Sequence, residues 1–435
     1  MAQQRSPSPD SNGDDENAEL FSAILSTVDM EQLPIIGSTI LREQKLQATK
    51  TTPSVGKPIY GSYHVLFPLI FDDDLRWLVK IPINGTASNW DELSASSLAS
   101  EAKTMRLLKR DTTIPLPDVL DFSSTTENTL RCPYIVMSFI SGIPLYNVWF
   151  GHRLNGVNPD TTHARRNRAL QGIASAMAQL DKFSFQSGGC PLFGSDGNLS
   201  GVGPMRQVDQ QAMLDRWFIH QDPSDDPIYT EFPTSSDPKA YCTFMLDKHP
   251  EQDPIPKGIE MLLRQLIRWI PEPSGMDPFV LAHPDFDIQN FIVSEDGELR
   301  GIIDWDAMYG YVESVEDGVE PEGVWEDSPE CLASYRGVYS TMIANHRRGT
   351  ALDTKLDLCR ISLITENLAI AAQDPRCRNP VLRKMLDEIW AAAGRDEEKP
   401  DLTSLAETFA EDKVESVVMD ILKTGFNTLI SKEGL

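Results

Sequence analysis

Residues 283–307, HPDFDIQNFIVSEDGELRGIIDWDA, restrict the fold more than any other part of the chain. Phe291 to Val293 and Leu299 to Ile303 are apolar runs, and Asp296-Gly297 between them is a strong hairpin signal. A turn on those two residues sets Asn290 opposite Ile303 and makes Asp304 the near neighbour of Asn290. Asp285, on the loop that enters the hairpin, can face the same spot. An amide oxygen and a carboxylate held together in this way are hard oxygen ligands of the kind Mg²⁺ accepts beside a phosphate. A second carboxylate on the entering loop can take a proton from an attacking hydroxyl. Polar groups on a loop between rigid apolar strands suit a catalytic site better than a plain connection.

The pattern H-x-D-x-x-x-x-N followed by a strand ending in Asp is the arrangement of eukaryotic-like kinases. That template also asks for a strand lysine paired with a helix glutamate. In RWLVKIPI, residues 76–83, alternation puts Leu78, Lys80 and Pro82 on one face and Trp77, Val79 and Ile81 on the other. A lysine planted among apolar neighbours needs an anion, and an ATP phosphate would serve. On the helix expected over residues 91–110, Leu98, Ala102, Met105 and Leu108 form an apolar stripe with Glu101 beside it, the natural partner of Lys80. The phosphate-cradling turn is sparse: YGSYHVLF offers Gly61 and Ser62, with backbone N–H groups at Ser62 and Tyr63. The strand YIVMSFISG brings backbone groups near Met137 to Phe139 to where an adenine edge would lie.

Composition excludes several function classes. The 435 residues carry a formal net charge of −26, so a phosphate backbone is repelled and nucleic acid is not an expected partner. The short clusters Arg165, Arg166, Arg168 and Arg347, Arg348 are expected to be solvated helix faces. Six scattered cysteines without a C-x-x-C pair suit a reducing compartment and argue against zinc. With neither signal-peptide character at the start nor an apolar run long enough to span a bilayer, the expected location is the cytoplasm, without membrane association.

Residues 1–17 are rich in Ser, Pro, Asp and Asn and are expected to be a disordered tail. An N-terminal extension is expected over 18–57, a small β-rich lobe with one helix over 58–140, and a larger, mainly helical lobe over 141–435. No internal repeat is visible.

On HPDFDIQN, GIIDWD, Lys80 and Glu101, with the run LFGSDGNLSGVGPM, the sequence resembles the aminoglycoside phosphotransferase and choline kinase-like family, most closely its fungal branch, over roughly residues 58–345. The resemblance implies an α+β, bilobal protein kinase-like fold, MgATP, and phosphorylation of a small-molecule hydroxyl. It implies Asp285 as catalytic base, Asn290 and Asp304 as magnesium ligands, Lys80 as phosphate lysine and Glu101 as its partner, with His283 supporting the loop. Asp306 steadies the metal site or caps the next segment. The Gly-Ser hairpin of LFGSDGNLSGVGPM is expected in the helical lobe. A protein kinase is opposed by Asp287, which stands where the protein-kinase loop has lysine, and by Asp304-Trp305-Asp306, which is not D-F-G. A catalytically silent kinase-like module remains the other alternative. The acidic run over residues 311–330 favours a cationic acceptor or is a plain surface loop. Neither the acceptor nor the oligomeric state is legible.

Overall fold

The computed structural model describes residues 21–46, 51–61, 63–72, 75–208, 229–237, 239–248, 250–272, 279–305, 327–350, 358–395 and 399–431. The expected disordered tail, Ser62, Asp306 and most of the acidic run lie outside them. By compactness the chain forms two units, one of Met1–Gln179, Cys190–Thr230 and Ala282–Gly310, the other of Leu180–Gly189, Glu231–Leu281 and Tyr311–Leu435.

In the first unit, β1 (Ser54–Val55), β2 (Ile59–Tyr60), β3 (His64–Ile70), β4 (Arg76–Pro82), β5 (Val119–Ser123) and β6 (Tyr134–Ser138) form an antiparallel sheet. Its order is β1-β3-β4-β6-β5, with β2 pairing β3. The alternation read from the sequence holds. Val65, Phe67, Leu69, Trp77, Val79 and Ile81 point to one face and are fully or almost fully buried. That face is covered by Phe21, Ile24, Leu33, Ile40 and Leu41 from α1 (Ser22–Thr27), α2 (Gln32–Glu43) and the residue before α1. The segment expected as an extension therefore shares the core of the sheet.

The other face, which carries Lys80, packs Ile135 and Met137 against Leu98 and Ala102 of α3 (Glu92–Asp111). This helix begins where expected because the Asp91 carboxylate accepts the Ser94 N–H at 2.7 Å, and Lys109 and Arg110 close its last turn with favourable charge. After β6 the chain forms β7 (Ile143–Pro144), α4 (Leu145–Trp149) and α5 (Pro159–Met177). Next come β8 (Cys190–Phe193) and β9 (Leu199–Gly203), the hairpin expected from LFGSDGNLSGVGPM. It belongs to the unit of α3 rather than to the helical part: the Ser100 hydroxyl donates to the Pro191 carbonyl at 2.7 Å. β10 (Phe291–Val293) and β11 (Leu299–Ile302) complete the unit, and β10 also pairs β7.

The second unit is mainly helical among the described residues, with one short antiparallel pair, Ser184–Phe185 against Phe279–Val280, beside α6 (Ala240–Lys248), α7 (Pro254–Trp269), α8 (Pro329–Arg347), α9 (Leu358–Gln373), α10 (Arg378–Ala392), α11 (Leu402–Ala410) and α12 (Ser416–Leu429). Its core joins Leu262, Leu266, Leu368, Leu382, Trp390, Leu405 and Phe426. α7 and α11 approach so closely that a Cβ on Gly258 would lie 1.8 Å from the Ala406 carbonyl oxygen, so only glycine fits. No helix among the described residues is long and apolar enough to cross a membrane.

Candidate active site

The β10–β11 hairpin sets the geometry of the site by a different route from the one expected. Its turn is not a two-residue turn on Asp296-Gly297. Ser294 N–H donates to Glu298 O and Gly297 N–H to Ser294 O, both at 2.9 Å, which makes a three-residue loop with Gly297 at φ +82°. Val293 then faces Leu299, a pairing one residue out of step with the expected one. A bulge at Arg300 restores the step: Ile292 faces Gly301, Phe291 faces Ile302, and Ile303 N–H donates to Asn290 O at 2.9 Å. Asn290 and Asp304 thus become neighbours as expected. A Cβ on Gly297 would stand 2.4 Å from Arg165 O, so the turn sits against the backbone of α5.

The entering loop is pinned by His283. The ring is buried; Nδ1 accepts the Asp285 N–H at 3.2 Å, and Nε2 lies 3.0 Å from the Ile303 carbonyl oxygen, to which it must donate. The two bonds require the neutral tautomer with its proton on Nε2 and tie the Asp285 loop to the end of β11. The ring also meets Trp305 edge-on, with centroids 4.6 Å apart. Asn290 is buried at the end of a 3-10 turn, Ile288–Asn290, that Asp287 caps by accepting the Gln289 N–H at 2.8 Å. The Asn290 amide nitrogen donates to Asp285 Oδ2 at 2.9 Å and to Asp285 O at 3.0 Å. Two acceptors on one atom identify the nitrogen, so the amide oxygen is the end left for a metal or a ligand.

Lys80 joins the two halves of the site. Its ammonium lies 2.9 Å from Glu101 Oε1 and 3.2 Å from Asp304 Oδ1, with Lys80 and Glu101 both buried and Asp304 42% exposed. Asp304 holds this position at φ +64°, a left-handed conformation that costs a residue with a side chain about 1–3 kcal/mol. His64, which sequence reasoning missed, stands in the same field. Burial and the Lys80 charge push its imidazole well below the ordinary histidine value, partly opposed by Asp304. Its one sequence signal was a histidine two residues past the Gly61-Ser62 pair.

The remaining expected residues are more varied. Gly61 N–H donates to His64 O at 2.9 Å, closing a turn with only residues 62 and 63 at its tip. Met137 is buried against α3, whereas Phe139 is 39% exposed and donates its N–H to Arg76 O, so that N–H is not available to an adenine. Two of the arginines expected on solvated faces are structural. Arg166 is buried, donates to the Trp149 carbonyl at 2.7 and 2.8 Å, and lies over the Trp149 ring. Arg347 grips Asp181 with two bonds, at 2.8 and 2.9 Å.

With this geometry in view, the model of the phosphotransferase enzyme family matches residues 72–312, more than half of the chain. The chain belongs to the phosphotransferase enzyme family. As a member it has the protein kinase-like α+β fold, β-rich in its N-terminal part and mainly helical in its C-terminal part. It is similar to altered inheritance of mitochondria protein 9, mitochondrial, of Candida albicans, 26% identical over 37% of this chain and 25% of that protein. The Candida dubliniensis protein of that name is 25% identical over the same shares. The chain thus spans about a quarter of the length of the curated relatives it matches. Among solved structures it is similar to a macrolide 2′-phosphotransferase of Brachybacterium faecium, at 12% identity over 81% of this chain and 96% of that one, with a TM-score of 0.36. A macrolide 2′-phosphotransferase type I is also 12% identical, over 94% and 99%, with a TM-score of 0.32. Neither likeness is close enough to speak to a substrate.

The phosphotransferase's donor set fits magnesium. Among the described residues no three His, Cys, Asp or Glu gather into a ready-made cage. Magnesium needs none: it commonly takes one or two protein oxygens and completes its shell with water and phosphate. The oriented Asn290 oxygen and the part-exposed Asp304 carboxylate are such a pair.

Proposed function

We propose that the chain is an ATP-dependent small-molecule kinase, moving the γ-phosphoryl group of ATP to a hydroxyl of a small acceptor. The observation that carries this reading is Lys80 held between Glu101 at 2.9 Å and Asp304 at 3.2 Å, in the unit that also holds Asp285 and Asn290. In the step itself, the acceptor oxygen bonds to the γ-phosphorus as the bond from that phosphorus to the bridging oxygen breaks, and ADP leaves. Asp285 orients the hydroxyl and accepts its proton. Lys80 neutralises phosphate charge and Glu101 fixes the ammonium. A magnesium ion held by Asn290 and Asp304 would shield the phosphate oxygens. Met137 and Phe139 flank the adenine, and Gly61 lies beside the phosphates.

The acidic balance of −26 favours a cationic acceptor, so amine-bearing alcohols are the first to screen. The working location is the cytoplasm; since the Candida relatives are named mitochondrial proteins, cell fractionation decides between the two. A silent nucleotide-binding module is the second reading, favoured by the two-residue tip of the Gly61 turn.

The test is the thermal midpoint with and without MgATP for the parent, Lys80→Ala and Asp304→Ala. A nucleotide at about 100 times its dissociation constant stabilises by about 2.7 kcal/mol. The parent should show a rise that both variants lose. No rise in the parent at millimolar MgATP sinks both readings. A rise without phosphoryl transfer to any screened alcohol favours the silent module.

A further inference from the structure

A glycine-rich loop grips phosphates with several backbone amides, and the turn between β2 and β3 is short. The β2–β3 register continues through Tyr60 opposite Val65 to Gly61 opposite His64, leaving residues 62 and 63 as the whole tip. Gly61 N–H is spent on His64 O at 2.9 Å. The first side chain after the tip is that of His64. In the β3–β4 ladder His64 faces Pro82 while Leu66 faces Lys80, and directly opposed residues share a face of the sheet. His64 therefore lies on the Lys80 face, one pair nearer the tip, at a diagonal spacing of about 7–8 Å between backbones. The ring is close enough to Lys80 and Asp304 for both charges to act on it.

We propose that His64 is a nucleotide-binding residue whose imidazole N–H donates a hydrogen bond to a terminal phosphate at the Lys80–Asp304 centre, replacing the amides of a longer glycine-rich loop. The proposal rests on the kinase reading above and adds to it a contact from the first residue of β3. The alternative is a histidine that only packs beneath the turn, and a binding experiment separates the two.

The full chain is titrated calorimetrically with MgATP, MgADP and adenosine, as parent, His64→Ala and His64→Gln. His64→Ala should weaken MgATP by about ten- to a hundredfold, the worth of one hydrogen bond to a charged group, and leave adenosine unchanged. His64→Gln, which retains an N–H donor, should recover most of the loss. An equal loss for MgADP assigns the contact to the β-phosphate, and a loss confined to MgATP assigns it to the γ-phosphate; both support the proposal. Parental MgATP affinity in His64→Ala overturns it, as does an adenosine loss as large as the MgATP loss. A parent that binds no MgATP sinks the kinase reading and this contact with it, whereas a parent that binds alongside an unaffected variant sinks the contact alone. Should His64→Ala fail to fold, His64→Leu against His64→Gln puts the same question with the volume kept.

Discussion

Asp285 and Asp304 are carboxylates on either side of one hairpin with different duties. Asp285 has its backbone N–H held by His283 and its Oδ2 by Asn290, so it is oriented from two sides. Asp304 meets Lys80 and has the more open surface, as a group that shares a metal with phosphate should. Asp285→Asn keeps the shape and removes the base. Turnover should fall by about 10²–10⁴, the usual worth of a general base, while the MgATP-induced rise in midpoint stays within error. Turnover at the parental rate would remove Asp285 from the mechanism. The Lys80–Glu101 pair was legible because a lone lysine on an apolar strand and a glutamate beside an apolar stripe each need a partner. His64 was not, because its place depends on the length of the turn before it and on the face it shares with Lys80, and neither can be counted from local sequence.

At the scale of elements, the β10–β11 hairpin is aligned by two departures that cancel. The turn is one residue out of step with the ladder around Asn290, and the bulge at Arg300 puts the step back. Apolar runs and an Asp-Gly pair were enough to foresee a hairpin and the right neighbours for Asn290, but nothing in them distinguishes a two-residue turn from a three-residue loop plus a bulge. Gly297 is the sensitive point. Gly297→Ala should cost roughly 1–2 kcal/mol for its left-handed backbone, and more from the 2.4 Å approach to Arg165 O, which cannot yield without moving α5. Chemical denaturation measures the loss, and activity should fall with it because Asp304 lies at the end of the displaced strand. An unchanged midpoint would mean that the turn can reorganise away from α5.

At the scale of the molecule, the six-stranded sheet is buried on both faces. α3 and the candidate site occupy one, and the other is filled by α1, α2 and the residue before α1 through Phe21, Ile24, Leu33, Ile40 and Leu41. Each such side chain contributes about 1.5–3 kcal/mol when buried, so the five together rival the whole stability of a typical domain, about 5–15 kcal/mol. The sequence pattern suggested a boundary near residue 58 because kinase-like alternation starts there, and amphipathic helices before it look like an appendage until their partner is known. A fragment starting at residue 58 would leave Val65, Phe67, Leu69, Trp77 and Val79 uncovered and should be recovered as aggregate, whereas one starting before Phe21 should be soluble. The sheet that carries Lys80 is therefore not a portable cassette that begins where its signature begins. Any fusion or domain exchange has to carry α1 and α2 as part of the cargo.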